Sequence, residues 1–306
     1  MLGQPVISAH AVVKRWGQTT ALSNATVDIG RGVTGLLGAN GAGKTTLLGM
    51  VLGLHHADAG RLEVLGLDPA HAGAAVRARV GYAPEHHNLP PDMRAHDLVR
   101  HMAEVHGLPH REATGRASDA LWHVGLGEER LRPLGTMSTG QRQRVKLAQA
   151  IAHDPALILL DEPTDGLDPV QRDSMLELIG RIGGDYGIDV VLSSHLLEEV
   201  ERVCDAAVIL SGGEVVAAGT LDELRKGGGG LLVELDDRHA EVAAALTGRG
   251  LDVRVEGRVL VVAEHPALGD GAYDVVRDVL AEQGALLRRL SPRRITLEDV
   301  FLGVGR

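Results

Sequence analysis

The chain of 306 residues has a single cysteine, Cys204, and only six aromatic residues. One cysteine excludes an internal disulfide and is compatible with a reducing compartment. No apolar run in the sequence approaches the ~20 residues that a membrane-spanning helix needs. The N-terminal residues also lack the basic and apolar pattern of a secretory signal peptide. We therefore expect any role at a membrane to depend on a partner.

Lysine is scarce as well, because Lys14, Lys44, Lys146 and Lys226 are the only lysines, and the formal net charge is −10. This balance argues against a nucleic-acid partner, for which a basic patch is expected. The length is sufficient for a full hydrophobic core and for more than one domain.

A glycine-rich segment lies between an apolar run, Val33–Leu37, and a stretch that favours a helix, Leu47–Leu52. A strand, a loop and a helix in this order are the context of a phosphate-binding P-loop. The glycines let backbone N–H groups turn inward around a triphosphate. Lys44 is expected on the β- and γ-phosphates and the Thr45 hydroxyl on Mg²⁺. The pattern predicts a nucleoside triphosphate site at Gly38, Ala39, Asn40, Gly41, Ala42, Gly43, Lys44, Thr45 and Thr46.

Two carboxylates, Asp161 and Glu162, follow the apolar run Leu157–Leu160. Such a run is typical of a buried strand, and ligands of open α/β sheets bind at the carboxyl ends of the strands. Asp161 is expected to hold Mg²⁺ through its water shell, and Glu162 to polarise the attacking water as a general base. Taken alone, the pattern is equally consistent with an ordinary strand end. The P-loop upstream favours the functional interpretation.

Between these elements, Ser138-Thr139-Gly140-Gln141 opens a segment with helical periodicity. This motif, a short way before an Asp-Glu strand, resembles the signature motif of the ATP-binding-cassette (ABC) ATPases. Thr139 stands where that family usually has glycine, whereas Ser138 and Gly140, which the resemblance places on phosphate, are retained. Ser138 also suits a helix N-cap, and both roles are compatible because a helix N-terminus attracts anions.

Other positions extend the resemblance, which spans residues 6–224. Trp16 is similar to the aromatic residue that stacks on adenine, with surface packing as the alternative. Glu85 stands where the family usually has a glutamine that contacts the metal and the attacking water; a carboxylate is an acceptable Mg²⁺ ligand but adds negative charge near the γ-phosphate. Asp168 ends a segment, Asp165–Asp168, that resembles the loop crossing to the other subunit. His195 resembles the switch histidine that contacts the γ-phosphate. The expected catalytic set is therefore Lys44, Glu85, Glu162 and His195.

The resemblance implies an α/β fold of the P-loop NTPase class, an ABC cassette with a RecA-like core and a helical subdomain. Residues 1–225 are assigned to this nucleotide-binding domain, with the helical subdomain at about 85–151. The glycine-rich segment 226–230 is predicted to be a flexible linker. Residues 231–306 are assigned to a C-terminal accessory domain.

Apolar patterns in the C-terminal segment predict strands and helices in the order β-α-β-β-α-β. This order suggests a small α+β sandwich of the ferredoxin-like type. Thr296–Leu302 is predicted to form a final short helix capped by Thr296. Because the segment holds no P-loop and no metal-ligand spacing, we expect it to pack against a cassette or its partner subunit and to have no catalytic role.

Fifteen histidines prompt a metal hypothesis, with His86, His87, His96, His101, His106 and His110 in the densest part. Their spacing rotates around a helix, and no cysteine pairs with them in zinc-site spacing. A solvated, histidine-rich helical face is the expectation instead. Trp122 lies next to apolar residues at helical spacing and is expected in the core.

The resemblance implies the ATP-hydrolysing subunit of a membrane transporter. Two ATP molecules would lie between two copies of the chain or between this chain and a homologous subunit, each met by Lys44 of one and by Ser138 and Gly140 of the other. A separate transmembrane permease is the second implied partner, which places the chain at the cytoplasmic face of the cell membrane. No nucleic-acid partner is expected.

Within the family, the segments Tyr82–Glu85, Ser138–Gln141 and Thr296–Leu302 resemble the daunorubicin-resistance type of exporter ATPase. An importer ATPase with a regulatory C-terminal domain shares every catalytic motif and stays open as an alternative. A soluble ABC ATPase acting outside transport also stays open, although the sequence lacks a second cassette, a long coiled coil and a basic surface.

Overall fold

The computed structural model describes residues 4–86, 88–226, 230–263 and 271–292. The chain divides into two compact units, residues 1–220 and residues 221–306. Residues 221–225 belong to the second of these units, whereas the sequence analysis assigned them to the first domain. Residues 227–229 of the predicted linker and the predicted final helix, Thr296–Leu302, lie outside the described residues.

The first unit contains nine strands in its described residues. They are β1 Ile7–Trp16, β2 Thr19–Ile29, β3 Val33–Leu37, β4 Ala59–Val64, β5 Val80–Ala83, β6 Leu157–Asp161, β7 Asp189–Ser194, β8 Ala206–Ser211 and β9 Glu214–Thr220.

Seven α-helices accompany these strands over the same described residues. They are α1 Lys44–Val51, α2 Pro69–Arg77, α3 Ala95–Val105, α4 His110–His123, α5 Thr139–Ile151, α6 Pro169–Tyr186 and α7 Leu197–Val203. None of the helices in the described ranges, in either unit, combines the length and the apolar character that a bilayer span requires.

A six-stranded sheet in the order β5-β6-β7-β3-β8-β9 forms the centre of the first unit. Its strands run parallel except for β9, which pairs antiparallel with β8. Every residue of β3 and β6 is buried, as expected for parallel strands covered on both faces. Leu37 pairs with Ser194, and Asp161 pairs with Ser193, so β3, β6 and β7 end at the same edge. The segments that follow these three strands therefore meet in space.

A second sheet, β2-β1-β4, is antiparallel and shares a hydrophobic core with the central sheet. Buried side chains of β1 and β2 contribute to this core, as do Leu47 and Leu48 of α1. Each buried leucine stabilises the fold by roughly 1.5–3 kcal/mol. Trp16 ends β1 and pairs with Thr19 at the start of β2.

Helices and turns form the described residues between β5 and β6. Helices α3 and α4 come first, and two short 3₁₀ turns lie between α4 and α5. The buried face of α4 carries Ala113, Ala117, Ala120 and Leu121. The expectation that Trp122 lies in the core is wrong, because its side chain is 67% exposed. Trp122 is one residue, about 100°, around the helix from Leu121 and therefore points away from the buried face.

The histidines of this region do not form the single solvated face that the sequence analysis expected. The side chain of His96 is only 16% exposed, and its Nε2 lies 3.2 Å from Ser118 Oγ of α4. His106 stacks on the buried His153, with ring centroids 3.6 Å apart. His110 starts the next helix, where its Nδ1 lies 2.6 Å from Glu104 Oε1. Packing between α3, α4 and the end of α5 thus buries part of the series.

The second unit contains α8 Leu221–Lys226, β10 Gly230–Leu235, α9 His239–Gly248, β11 Val253–Glu256, β12 Val259–Ala263, α10 Gly271–Gln283 and β13 Leu287–Pro292. Its four strands form an antiparallel sheet in the order β11-β12-β10-β13. One hydrophobic core joins this sheet to α9 and α10 through residues such as Val233, Leu246 and Val276.

Candidate functional site

The P-loop connects β3 to α1 and leaves the start of that helix open. Gly43 adopts a left-handed conformation with φ of 106°, and no side chain caps α1 at this position. A Cβ at Gly43 would lie 2.5 Å from the Ala21 carbonyl oxygen, so a larger residue is excluded. Because a helix leaves its first N–H groups without internal partners, this end of α1 suits an anion.

A cleft of about 370 Å³ opens at this helix start. The side chain of Lys44 is almost fully buried within it and donates to the Gly38 carbonyl at 2.6 Å. The cleft brings together residues from β2, the P-loop and the segments after β5 and β6. They are Thr19, Thr20, Ala21, Ala39, Asn40, Gly41, Gly43, Lys44, Thr45, Thr46, Glu85 and Glu162.

Glu162 lies between two cationic or polar groups at the sheet edge. Its Oε1 is 3.1 Å from Lys44 Nζ, and its Oε2 is 2.9 Å from His195 Nδ1. The backbone of Glu162 has a positive φ of 46°, which is uncommon for a residue with a side chain and is found often at functional sites. Its N–H donates to Ser193 Oγ at 2.9 Å. The structure thus places Lys44, Glu162 and His195 in one continuous chain of contacts.

The residues expected near a metal ion meet in a second cleft of about 420 Å³, which Thr45, Tyr82, Glu85 and Asp161 all line. Thr45 and Glu85 line the first cleft too, so the two clefts adjoin. Ser193 Oγ donates to Asp161 Oδ1 at 2.6 Å. Burial, followed by the negative charges of Asp161 and Glu85, raises the pKa of Tyr82 to about 12. Tyr82 therefore stays a neutral donor beside these carboxylates.

Trp16 is half-exposed at the end of β1 and is not among the residues that line the P-loop cleft. Lys14 Nζ lies 4.8 Å from the centre of its ring, and His55 meets the ring edge-on. The neighbouring residues Thr19 and Thr20, across the β1–β2 turn, do line the cleft.

The signature motif forms a separate site at the start of α5. Ser138 Oγ accepts from the Gln141 N–H, and Gln141 Oε1 accepts from the Ser138 N–H, which makes a capping box. Thr139 is the first residue of the helix, where the usual glycine is not required by backbone conformation. Ser138, Gly140 and Gln141 line a cleft of about 240 Å³ that shares no described residue with the P-loop cleft.

Asp168 caps the N-terminus of α6 by accepting from the Gln171 N–H at 2.9 Å. Gln171 lines the signature cleft next to Gly140. Asp168 itself is exposed and is not among the residues that line the P-loop cleft. Within one chain, therefore, Asp168 and the signature residues lie apart from Lys44.

Two buried polar connections carry no signal in the sequence analysis. Lys146 of α5 is 1% exposed, and its Nζ donates to the Glu85 carbonyl at 2.9 Å. Glu199 of α7 is 2% exposed and accepts from Ser194 Oγ at 2.6 Å, one residue before His195. Neither contact is recognisable from a local sequence pattern, because each joins segments whose proximity depends on the fold.

Known proteins of similar sequence are ATP-binding proteins. A family model described as "ABC transporter" matches residues 22–165. The linearmycin resistance ATP-binding protein LnrL of Bacillus subtilis is 34% identical over 311 residues, with 98% of each chain covered. The daunorubicin resistance ATP-binding protein DrrA3 of Streptomyces coeruleorubidus is 33% identical over 98% of this chain and 96% of its own. The methionine import ATP-binding protein MetN 2 of Burkholderia mallei is 36% identical over 66% of this chain and 52% of its own.

Solved structures resemble the cassette part of the chain. One is cbiO1 from Clostridium perfringens, part of the transporter complex cbiONQ, with a TM-score of 0.67, 26% identity and coverage of 72% of this chain and 90% of that one. Another is the cassette MJ0796 as a post-hydrolysis dimer bound to ADP and Pi, with a TM-score of 0.62, 25% identity and coverage of 70% and 98%. The predicted ABC cassette fold is thereby confirmed. The chain belongs to the ABC transporter family, as an ATP-binding subunit that hydrolyses ATP.

Proposed function

We propose that the P-loop cleft binds ATP through Lys44 and residues 38–46 and hydrolyses it through Glu162 and His195. The observation that carries this proposal is the contact chain from Lys44 to Glu162 to His195 at the carboxyl edge of the sheet. A buried lysine below an uncapped helix start provides both charge and N–H donors for a triphosphate. The contact of Glu162 with His195 orients a general base toward the position of a γ-phosphate.

In this proposal Thr45, Asp161 and Glu85 would hold Mg²⁺. These residues line one cleft next to Lys44, and their hydroxyl and carboxylate oxygens are the donors that Mg²⁺ prefers. No cluster of three or more His, Cys, Asp or Glu side chains suited to a metal occurs among the described residues. An ion held by one or two carboxylates together with substrate phosphates requires no such cluster. When bound, Mg²⁺ supplies positive charge to the β- and γ-phosphates.

Trp16 stacks on the adenine base in the same proposal. Its ring is half-exposed, and Thr19 and Thr20 of the adjoining strand line the cleft. A flat aromatic face that is already exposed needs no rearrangement of the core to receive a base. The contact with Lys14 is compatible with stacking because a ring has two faces.

A second subunit completes each ATP site, and this subunit is either another copy or a homologue. It contributes Ser138, Gly140 and Gln141, together with Asp168 from the loop that crosses to the other subunit. The support is the separation of the signature cleft from the P-loop cleft within one chain. The relative MJ0796 is dimeric in its ADP-bound and Pi-bound structure. ATP bound between the two subunits would hold the dimer closed, and ATP hydrolysis would let the subunits separate.

A transmembrane permease is the second partner, which locates the chain at the cytoplasmic face of the membrane. We favour export, because the two resistance proteins match this chain over almost its whole length, whereas the methionine import protein matches only 66% of it. The C-terminal domain is of the ferredoxin-like type, supported by its strand order β11-β12-β10-β13 with two helices on the core side. We assign it to assembly, with no role in catalysis.

The test is ATP turnover by the purified chain, compared with the variant Lys44→Ala. Loss of Lys44 should lower turnover by roughly 10²-fold or more, since one positioned charge is worth that much in a phosphate site. Export is tested with inside-out vesicles that contain the chain and its permease. Substrate should enter these vesicles when ATP is added outside, whereas an importer would empty loaded vesicles.

A further inference from the structure

Lys146 is a buried cation that the proposed reaction leaves unused. It projects from α5, about two helical turns after Ser138, and only 1% of it is exposed. Burial lowers the pKa of Lys146 to about 8, and the charges of Asp161, Glu85 and Asp165 oppose this shift. A buried charge is retained only where carboxylates and hydrogen bonds offset its desolvation. The surroundings of Lys146 are therefore organised around its charge.

The hydrogen bond of Lys146 connects two segments that are far apart in sequence. Its Nζ donates to the Glu85 carbonyl at 2.9 Å, and Glu85 follows β5 in the loop that lines both clefts. Gln143, one helical turn earlier on α5, is also buried and donates from Nε2 to the Asp165 carbonyl at 3.3 Å. Two buried polar side chains of α5 thus bind the backbone of two loops, the one that contains Glu85 and the one that contains Asp165.

The positive charge of Lys146 matters because several carboxylates line the neighbouring clefts. Glu85, Asp161 and Glu162 all line the adjoining clefts, and they face a triphosphate that is itself anionic. Lys44 contacts Glu162, whereas the carboxylates of Glu85 and Asp161 form no ion pair among the described residues. Position 85 carries a glutamate in this chain, whereas ABC ATPases usually have a glutamine there. A cation beneath the Glu85 loop offsets the charge that this departure adds.

We propose that Lys146 is a positioning residue for ATP hydrolysis, which holds the Glu85 loop and compensates the negative charge of Glu85 in the metal site. This inference rests on the proposed role of Glu85. It assigns Lys146 a contribution through Glu85, without contact to the nucleotide. The charge at position 85 and the charge at position 146 should then be coupled.

The experiment is a double-mutant cycle with Lys146→Met, Glu85→Gln and the double variant, read as kcat and KM for ATP. Lys146→Met should lower kcat by about 10-fold, as expected for contacting groups in one network, with KM changed by less than about 3-fold. In the Glu85→Gln background the loss of kcat should be at least about 3-fold smaller, because the charge to be compensated is gone while the lost hydrogen bond to the Glu85 carbonyl is common to both backgrounds. Equal losses of kcat in both backgrounds would overturn the proposal.

Arg144→Gln is the matched control. Arg144 lies on the same helix and also donates to a backbone carbonyl, that of Val124 at 2.8 Å, away from Glu85. Its effect on kcat should be the same with Glu or Gln at position 85. If Glu85→Gln relieves Arg144→Gln as well, the coupling is unspecific and the assignment of Lys146 is wrong.

Thermal unfolding of each variant separates folding from catalysis. If Lys146→Met does not fold, the cycle is run with Lys146→Gln, which keeps a donor and removes the charge. Glu162→Gln is measured in parallel, because turnover at the wild-type level in that variant would refute the proposed function. Loss of turnover in Glu162→Gln together with an uncoupled cycle would refute the role of Lys146 alone.

Discussion

Replacing Glu162 by glutamine should separate ATP hydrolysis from ATP binding in this chain. The amide keeps the size of the side chain and a hydrogen-bonding oxygen, and it removes the basic carboxylate. Since Glu162 is the proposed general base, Glu162→Gln should lower ATP turnover by roughly 10²–10⁴-fold. The P-loop itself is unchanged, so ATP should still bind.

The structure further predicts that Glu162→Gln binds ATP more tightly than the wild type. Glu162 Oε1 lies 3.1 Å from Lys44 Nζ, and both side chains are at most 10% exposed. A phosphate must compete with this carboxylate for the lysine. The amide removes the negative charge from this ion pair, which lowers the attraction to Lys44 by about 1 kcal/mol. The variant should therefore bind ATP about 5-fold more tightly, which corresponds to that difference.

Calorimetry and size-exclusion chromatography measure these two effects. ATP should convert the variant to a stable dimer that persists, because hydrolysis no longer releases the subunits. Glu198→Gln, an exposed carboxylate on α7, is the control and should keep wild-type turnover. Wild-type turnover in Glu162→Gln would refute the assignment of the base. Weaker ATP binding in that variant would refute the competition for Lys44.

Three further predictions address other parts of the chain. Trp16→Ala should weaken ATP binding by about 1–3 kcal/mol, while Trp16→Tyr should preserve it. Trp122→Ala, at another exposed tryptophan, is the control. A loss of stability in Trp16→Ala without a change in ATP affinity would contradict stacking. Truncation after Arg225 should leave ATP affinity near wild type and weaken assembly, and equal loss of both would contradict the separate roles of the two units. Burial lowers the pKa of His153 to about 4 from an ordinary value of 6.5, so its contribution to folding stability is complete above pH 6.5 and is lost as the pH falls toward 4, by at most about 3 kcal/mol. Thermal unfolding across this range should be less pH-dependent in His153→Gln, and an unchanged pH dependence would contradict this reasoning.

Local patterns in the sequence were sufficient for the parts of the site that each lie in one segment. The P-loop is recognisable because glycines, Lys44 and Thr45 stand between a strand and a helix. Asp161 and Glu162 are recognisable because they end an apolar run. The parallel register of β3, β6 and β7 then brings these segments together, which follows from the fold class and needs no further information.

The remaining features depend on tertiary packing that a single segment does not reveal. Trp122 is exposed because it lies one residue further around α4 than the buried Leu121. His106 stacks on His153, and Lys146 binds the Glu85 carbonyl, across 47 and 61 positions of sequence respectively. The positive φ of Glu162 likewise has no local signal in the sequence, and its contacts with Lys44, Ser193 and His195 join segments far apart in the chain.

The central claim is that each ATP site combines Lys44 of one subunit with Ser138 of another. It is tested most directly by mixing two inactive variants, Lys44→Ala and Ser138→Arg, and measuring ATP turnover. A mixed dimer contains one site in which both residues are intact. Because half of the dimers in an equal mixture are mixed, turnover should recover to about a quarter of the wild-type rate in a two-fold symmetric assembly. Turnover that stays at the sum of the two separate variants, although mixed dimers form, would contradict the account.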